Sequence, residues 1–288
     1  MAHTQKISDI IECVREMAPE DLAEPWDNSG LLIASDKEYT EHVIVCLDMT
    51  DAALEEAIKT GSHLIIAHHP LIFTPIKRID IIKTQSRLLR GLIRNDIALY
   101  AAHTNVDKTY GGLNDLLAGI VGLDVPLPDT TDEPLSYYRV GELPEALTIE
   151  AFNEYVRTRL KLDNLIVSVP GMYAGSGVAT SGAATSGAAT GGAPKLIKRV
   201  VVMCGSYSFD EARFAALNAD ALLCGEIKYH DALELAGMGI HIVQAGHHGT
   251  ERFFIKLVEK WIADRYPGLQ IHGVGFAFPP SVIFFGAN

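Results

Sequence analysis

The sequence has no cysteine pair at CxxC spacing, no apolar run long enough to cross a bilayer and no cluster of basic residues. Each absence removes a class of function. The four cysteines, Cys13, Cys46, Cys204 and Cys224, stand far apart, and the last three lie in apolar, strand-like runs. That is the setting of a buried thiol, and it points to a reducing cytoplasm rather than to secretion. A bilayer needs about 20 consecutive apolar residues, so no transmembrane helix is expected. The opening Met1-Ala2-His3-Thr4-Gln5-Lys6 turns amphipathic without the apolar core and cleavage site of a signal peptide, so none is expected. Lys and Arg number 24 against 36 Asp and Glu, a net charge of −12, and basic residues come only in short pairs such as Lys198-Arg199. Proteins that bind nucleic-acid backbones gather positive charge on one face, so that class is disfavoured. A small anionic substrate stays open, because a bound metal can reverse the local field. There is no Walker lysine motif and no GxGxxG opening a helix, which leaves an ATPase or dinucleotide enzyme without support.

What is present is a chain of 288 residues, 48% hydrophobic, enough to bury a large core as one domain or two lobes. Helical spacing marks residues 7–20, ending near Pro19. Pro25-Trp26-Asp27-Asn28-Ser29-Gly30 is turn-rich, with Trp26 as an anchor and Asp27 and Asn28 ordering the loop; it reads as a structural loop or as a wall of a site. Val43–Asp48 is a strand, Thr50 or Asp51 caps a helix that stops at Gly61, and Leu64–Ala67 is a strand that runs into His68-His69. Strand, helix, strand in so short a span predicts an α/β unit with a parallel sheet, whose ligands sit beyond the carboxyl ends of the strands. A helix over 78–94 and a strand ending at Ala102 lead to His103. In the second half, Thr148 caps a helix, Leu165–Val169 and 199–204 are strands, 209–217 is a helix, and Ala221–Cys224 is a strand ending in Gly225-Glu226. His241–Ala245 is the last sheet strand before His247, and a helix follows from about Arg252 to Tyr266. Residues 124–134 read as a connection between lobes. A Gly/Ala/Ser/Thr tract, about 175–194, has no large side chain to bury and reads as a flexible loop.

The halves share an arrangement. The interval from Cys46 to His68 equals that from Cys204 to Glu226, and His103-x-x-x-Asp107 and His247-x-x-x-Glu251 each follow a strand. The expectation is an α/β fold of two related lobes, about 1–125 and about 135–288, in a pseudo-two-fold arrangement with the site in the cleft between them.

Imidazoles and carboxylates together suit Zn, Fe, Mn or Co. One His-x-x-x-Glu spacing carries little weight. Two such pairs and a tandem His68-His69, each directly after an apolar strand, outweigh the alternative of polar residues satisfying one another. Six candidates, His68, His69, His103, Asp107, His247 and Glu251, exceed the usual three or four ligands of a single catalytic zinc. Two divalent ions bridged by a carboxylate would use them all, and ions about 3.5–4 Å apart can share a water and deliver it as hydroxide. Glu226 and His230 lie on the turn into a helix; one is a candidate general acid or base, the alternative being a partner that holds a liganding imidazole. His248 is a further candidate for proton transfer. His63, His241 and His272 lack the clustered setting and read as structural.

Trp26–Leu31, Ala67–Phe73, Ala102–Asp107, Gly225-Glu226 and Ala245–Glu251 carry a resemblance to the dinuclear-metal family of GTP cyclohydrolase 1 type 2 homologues, also called Nif-like. The resemblance implies a two-lobed α/β Nif-like fold, zinc, iron or manganese at the site, and a toroidal homohexamer. It implies metal ligands at His68, His69, Asp107, His247 and Glu251, with His103 an additional candidate. It also implies a metal-dependent hydrolase acting on a nucleotide-like small molecule, with metal-bound water as nucleophile. A different class of reading is an oligomeric metal-binding regulatory or scaffold protein without turnover. The turn Gly205-Ser206-Tyr207-Ser208 has one glycine where many relatives have several, which weighs against a close approach to phosphate.

Overall fold

The computed structural model describes residues 3–80, 82–125, 137–168, 195–207, 214 and 217–275. The tract at 175–194, nearly all of the connection at 124–134 and most of the helix expected over 209–217 lie outside the described residues. The elements in order are β1 (Gln5–Lys6), α1 (Ile7–Met17), β2 (Gly30–Ile33), β3 (Tyr39–Thr40), β4 (His42–Cys46), α2 (Asp51–Thr60), β5 (Leu64–Ala67), α3 (Thr84–Arg94), β6 (Ala98–Ala101), α4 (Thr104–Lys108) and α5 (Leu113–Val121). They continue with β7 (Arg139–Thr148), α6 (Ile149–Arg159), β8 (Ile166–Ser168), β9 (Leu196–Ser206), β10 (Ala221–Glu226), α7 (Tyr229–Gly237), β11 (His241–Gln244), α8 (His247–Glu251), α9 (Phe254–Arg265) and β12 (Gln270–Val274). Among the described residues no helix is long and apolar enough to cross a membrane.

The expected α/β class is what forms. The chain divides into two compact units. One holds the described residues up to Leu117, 137–139 and 250–275; the other holds 118–125 and 140–249. The first contains the sheet β12-β4-β5-β6-β2, in which β12, β4, β5 and β6 run parallel and β2 pairs antiparallel with β6. The second contains β7-β9-β10-β11-β8, with β9, β10 and β11 parallel and β8 antiparallel to β11. The strand-helix-strand pattern thus closes as parallel pairing in both. Strand β12 pairs with β4, so residues 270–274 belong to the first sheet.

Local sequence explains the elements. Thr50 accepts from Ala53 N at 3.3 Å and opens α2; Gly61, at φ 73°, ends it in the left-handed region that a side chain would strain. Thr148 does the same for α6 through Ala151 N. Helix α3 starts at Thr84, later than the expected 78, because Ile79 and Ile82 face water and give the earlier residues no buried side to pack. Val43–Cys46 and Leu64–Ala67 are fully buried, as the strands of a parallel sheet covered on both faces must be. Ile44, Cys46, Ile65, Ala67 and Leu99 pack on one side against Ala53 and Ala57 of α2 and Leu88 and Leu92 of α3. Helix α9 lies against β4, and α1 against α9. All four cysteines are buried and outside any disulfide, and burial pushes the Cys224 thiol up to about 12.

Candidate metal centre

Pairing register gathers the first group of polar residues. Cys46 pairs with Ala67, and Ala67 with Ala101. The ladder runs on past the strand ends, through His69 N to Leu47 O at 2.9 Å and Ala102 N to Ala67 O at 2.9 Å. Two residues beyond that row stand Asp48, His69 and His103, at the carboxyl ends of three adjacent parallel strands. The ring nitrogens of His68, His69 and His103 come within 4.8 Å of one another. The ring of Phe254, at the start of α9, backs His68 with centroids 4.8 Å apart.

Each of these imidazoles is held by its Nδ1. His68 Nδ1 lies 2.8 Å from the Ala102 carbonyl, His69 Nδ1 2.8 Å from Asp48 Oδ1, and His103 Nδ1 2.7 Å from Asp27 Oδ1. With Nδ1–H donating to oxygen, Nε2 is the nitrogen each ring presents, and in the neutral imidazole it carries the lone pair, the arrangement that orients a metal-binding imidazole. Asp27 is a hub. Its carboxylate also accepts from Ser29 Oγ at 2.8 Å, Thr104 Oγ1 at 2.6 Å and the Asn28 amide at 2.7 Å. Burial opposes its charge, but the bonds from His103, Thr104 and Ser29 outweigh burial and hold its carboxyl well below the usual range.

The two His-x-x-x-acid spacings each become one short helical turn. His103 precedes α4, which carries Asp107; α8 begins at His247 and ends at Glu251. Residues four apart on a helix share a face, so the spacing puts each acid on the side of its histidine. His68 Nε2 lies 3.7 Å from Asp107 Oδ1 and 3.9 Å from Glu251 Oε1, and His69 Nε2 lies 3.1 Å from Glu251 Oε2. Among the described residues, His68 Nε2 and Asp107 Oδ1 are buried without a hydrogen-bond partner. Such orphaned atoms are rare and costly, and a donor set of imidazole nitrogen and carboxylate oxygen is one that a divalent cation satisfies. Burial pushes His68 down to about 3, so its ring is neutral. Burial, and then the charge of Glu251, raise Asp107 well above the usual range. His69 goes the other way: burial disfavours its charge, but bonds to Asp48 and Glu251 prevail and raise it to about 10.

The second unit repeats the device once. His247 Nδ1 lies 3.2 Å from Glu226 Oε1, and Ser206 Oγ donates to the same oxygen. Glu226 therefore occupies the position of a partner that holds an imidazole. His230 is exposed on the first turn of α7, its ring against Tyr229, and among the described residues it joins no cluster of three possible metal ligands. His248 is half-buried beside His247 on α8. The three histidines read as structural have structural partners: His63 bonds the Asp96 carbonyl, His241 Asn153 and His272 His42.

Asp48 had no assigned role in the sequence, and Asp27 only that of ordering its own loop. The signal for Asp48 was its place just past strand β4, level with His69; seeing it requires the register.

A family model described as Duf34/NIF3 (NGG1p interacting factor 3) matches residues 5–277. A Clostridium perfringens protein named GTP cyclohydrolase 1 type 2 homolog is 31% identical over 261 residues, covering 88% of this chain and 90% of its own. A Helicobacter pylori protein named GTP cyclohydrolase 1 type 2 is 29% identical, with 88% and 89% covered. The structure of reduced HcgD from Methanocaldococcus jannaschii superposes with a TM-score of 0.73 at 26% identity, covering 95% of this chain and 99% of that one.

Proposed function

The chain belongs to the Duf34/NIF3 family, and from that premise we propose that it holds two divalent metal ions and hydrolyses a nucleotide-like small molecule. The observation that carries the reading is the pair of orphaned buried atoms, His68 Nε2 and Asp107 Oδ1, beside imidazoles anchored through Nδ1. The residues that would hold the ions are His68, His69, His103, Asp107, His247 and Glu251. Their mixed nitrogen and oxygen donors suit zinc, iron or manganese. Bound ions would supply an activated water at neutral pH and polarise the bond to be cleaved.

The chain's own groups supply the rest. Asp27, Asp48, Glu226 and the Ala102 carbonyl fix which nitrogen each imidazole presents. Glu226, a candidate acid or base on sequence grounds, is here a positioning residue for His247. His248 is the proton donor to the leaving atom in this proposal, next in chain to a ligand, whereas His230 has no part in it. The printed names of the relatives support a guanine nucleotide as the first substrate to try. The buried cysteines, outside any disulfide, support a reducing compartment, and the family resemblance supports a homohexamer, which the native mass would check.

The test is turnover. Protein loaded with zinc, iron or manganese is incubated with GTP and a panel of nucleotides while formate and phosphate are measured. Release by the native chain, lost in Asp107→Ala and lowered in kcat by His248→Asn, is the expected result. Turnover no greater than that of Asp107→Ala, under every metal, sinks the hydrolase and leaves a metal-binding protein without turnover.

A further inference from the structure

Two large aromatic side chains beside the imidazole group stand in water. Trp26 is 58% exposed and Phe73 48%. Their ring centroids are 6.0 Å apart with planes tilted by 59°. Each lies 6.4 Å from the ring of His103 and edge-on to it, at 75° for Trp26 and 81° for Phe73. Lone exposed aromatics are ordinary and need no explanation. These two form a pair, and the pair abuts a candidate metal ligand.

The backbone around both is pinned. Asp27, next to Trp26, is fixed by His103, Thr104 and Ser29. Asn28 Nδ2 donates to the Ile72 carbonyl at 2.5 Å, tying the loop that carries Trp26 to the residue before Phe73. Gln85 Nε2 donates to the Leu71 carbonyl at 2.6 Å and holds that second loop from α3. The fold thus fixes two aromatic rings in place while leaving them half in solvent. Covering apolar surface is favourable by about 25 cal/mol per Å², so the arrangement favours an occupant.

We propose that Trp26 and Phe73 form a stacking subsite for a planar heteroaromatic ring of purine type, delivered edge-first to the imidazole group. The subsite takes its ligand class from the reading of the site as a hydrolase of a nucleotide-like molecule. A flat base has a π-face for the indole to stack on, and such contacts contribute roughly 1–3 kcal/mol each. A sugar or a phosphate offers no such face.

The chain has two tryptophans, and Trp261 is only 8% exposed, so Trp26 reports on this surface by its fluorescence. Metal-loaded, full-length protein is titrated with guanosine, with ribose 5-phosphate and with inorganic triphosphate, and guanosine binding is measured in parallel by equilibrium dialysis. Saturable quenching by guanosine alone is expected. Trp26→Ala abolishes the quench, Trp26→Ala and Phe73→Ala each weaken guanosine binding about tenfold, and Trp26→Phe, which keeps a π-face, restores most of it. Equal guanosine binding by the native chain and Trp26→Ala overturns the subsite. So does a Trp26 emission, taken as the native spectrum minus that of Trp26→Ala, that is already blue-shifted and shielded from a soluble quencher without ligand, since another copy of the chain then covers the pair. Formate release from GTP separates the two ideas. Quenching without release removes the hydrolase and keeps the subsite; release by Trp26→Ala at an unchanged KM removes the subsite and keeps the hydrolase.

Discussion

An imidazole has two nitrogens, and the hydrogen bond at one decides what the other can do. His68, His69, His103 and His247 each commit Nδ1 to an oxygen: a backbone carbonyl, Asp48, Asp27 and Glu226. Asp48 is the cleanest place to test that logic, because its side chain is 46% exposed and, among the described residues, carries no further bond of the kind that ties Asp27 to its loop. Asp48→Ala is expected to weaken metal affinity about 10- to 100-fold, the usual cost of losing such a partner, while leaving the melting temperature close to that of the native chain. Competition with a chelating dye measures the first and calorimetry the second. Affinity within twofold of native would mean that the bond from Asp48 does not orient His69. Of these residues, the imidazoles and Glu226 were legible from their placement after apolar strands. Asp48 was not, because it meets His69 only through the pairing of Cys46 with Ala67, and no local pattern encodes a pairing register.

The elements show the same division. The run Val43–Cys46, the cap at Thr50, the stop at Gly61 and the run Leu64–Ala67 state a strand, a helix and a strand in residue types alone. Strand β2 is different: four residues opening on Gly30, antiparallel to β6 with an irregular register, too short to declare a period. Close packing between strands is also silent in a one-dimensional reading. Gly225, in β10, approaches its neighbours so tightly that a Cβ there would sit 2.5 Å from the Gly205 carbonyl oxygen and 2.9 Å from His247 Cα. Both obstacles are backbone, which cannot swing away as a side chain can. Gly225→Ala is therefore expected to push His247 off Glu226 and to destabilise the second sheet by about 1–3 kcal/mol, the usual cost of overpacking. Denaturant unfolding and metal content both read this change. A variant with native stability and native metal content would show that the strands part without disturbing His247.

For the whole molecule, the sequence repeat corresponds to a repeated topology. In each sheet three parallel strands follow in chain order, and a short antiparallel strand from earlier in the chain lies on the outer side of the third. Val43 pairs with Leu64, and Val200 with Ala221, at the same sequence offset; the next offsets differ because the chain between β5 and α3 carries the Leu71–Phe73 loop. Folding such a molecule buries polar groups that water would otherwise hold, and His241 offers a measurable instance. It opens β11, buried, with Nε2 2.7 Å from Asn153 Oδ1 on α6. Burial, and then the charge of Lys195, push it down to about 4 from an ordinary 6.5. Above pH 6.5 neither the folded nor the unfolded chain carries this proton, and stability does not depend on it. Between 6.5 and 4 the unfolded chain binds the proton and the folded chain does not, so acidification favours unfolding. Below about 4 both carry it and the dependence ends. A fully differential proton contributes a slope of at most about 1.4 kcal/mol per pH unit. His241→Gln keeps a hydrogen-bonding amide but cannot titrate, and every other group is common to both chains. Unfolding free energies measured from pH 7 to pH 4 are expected to fall more steeply for the native chain than for His241→Gln, with the curves separating below 6.5. Parallel curves across that window would mean that His241 binds its proton as readily in the folded protein as in the unfolded one.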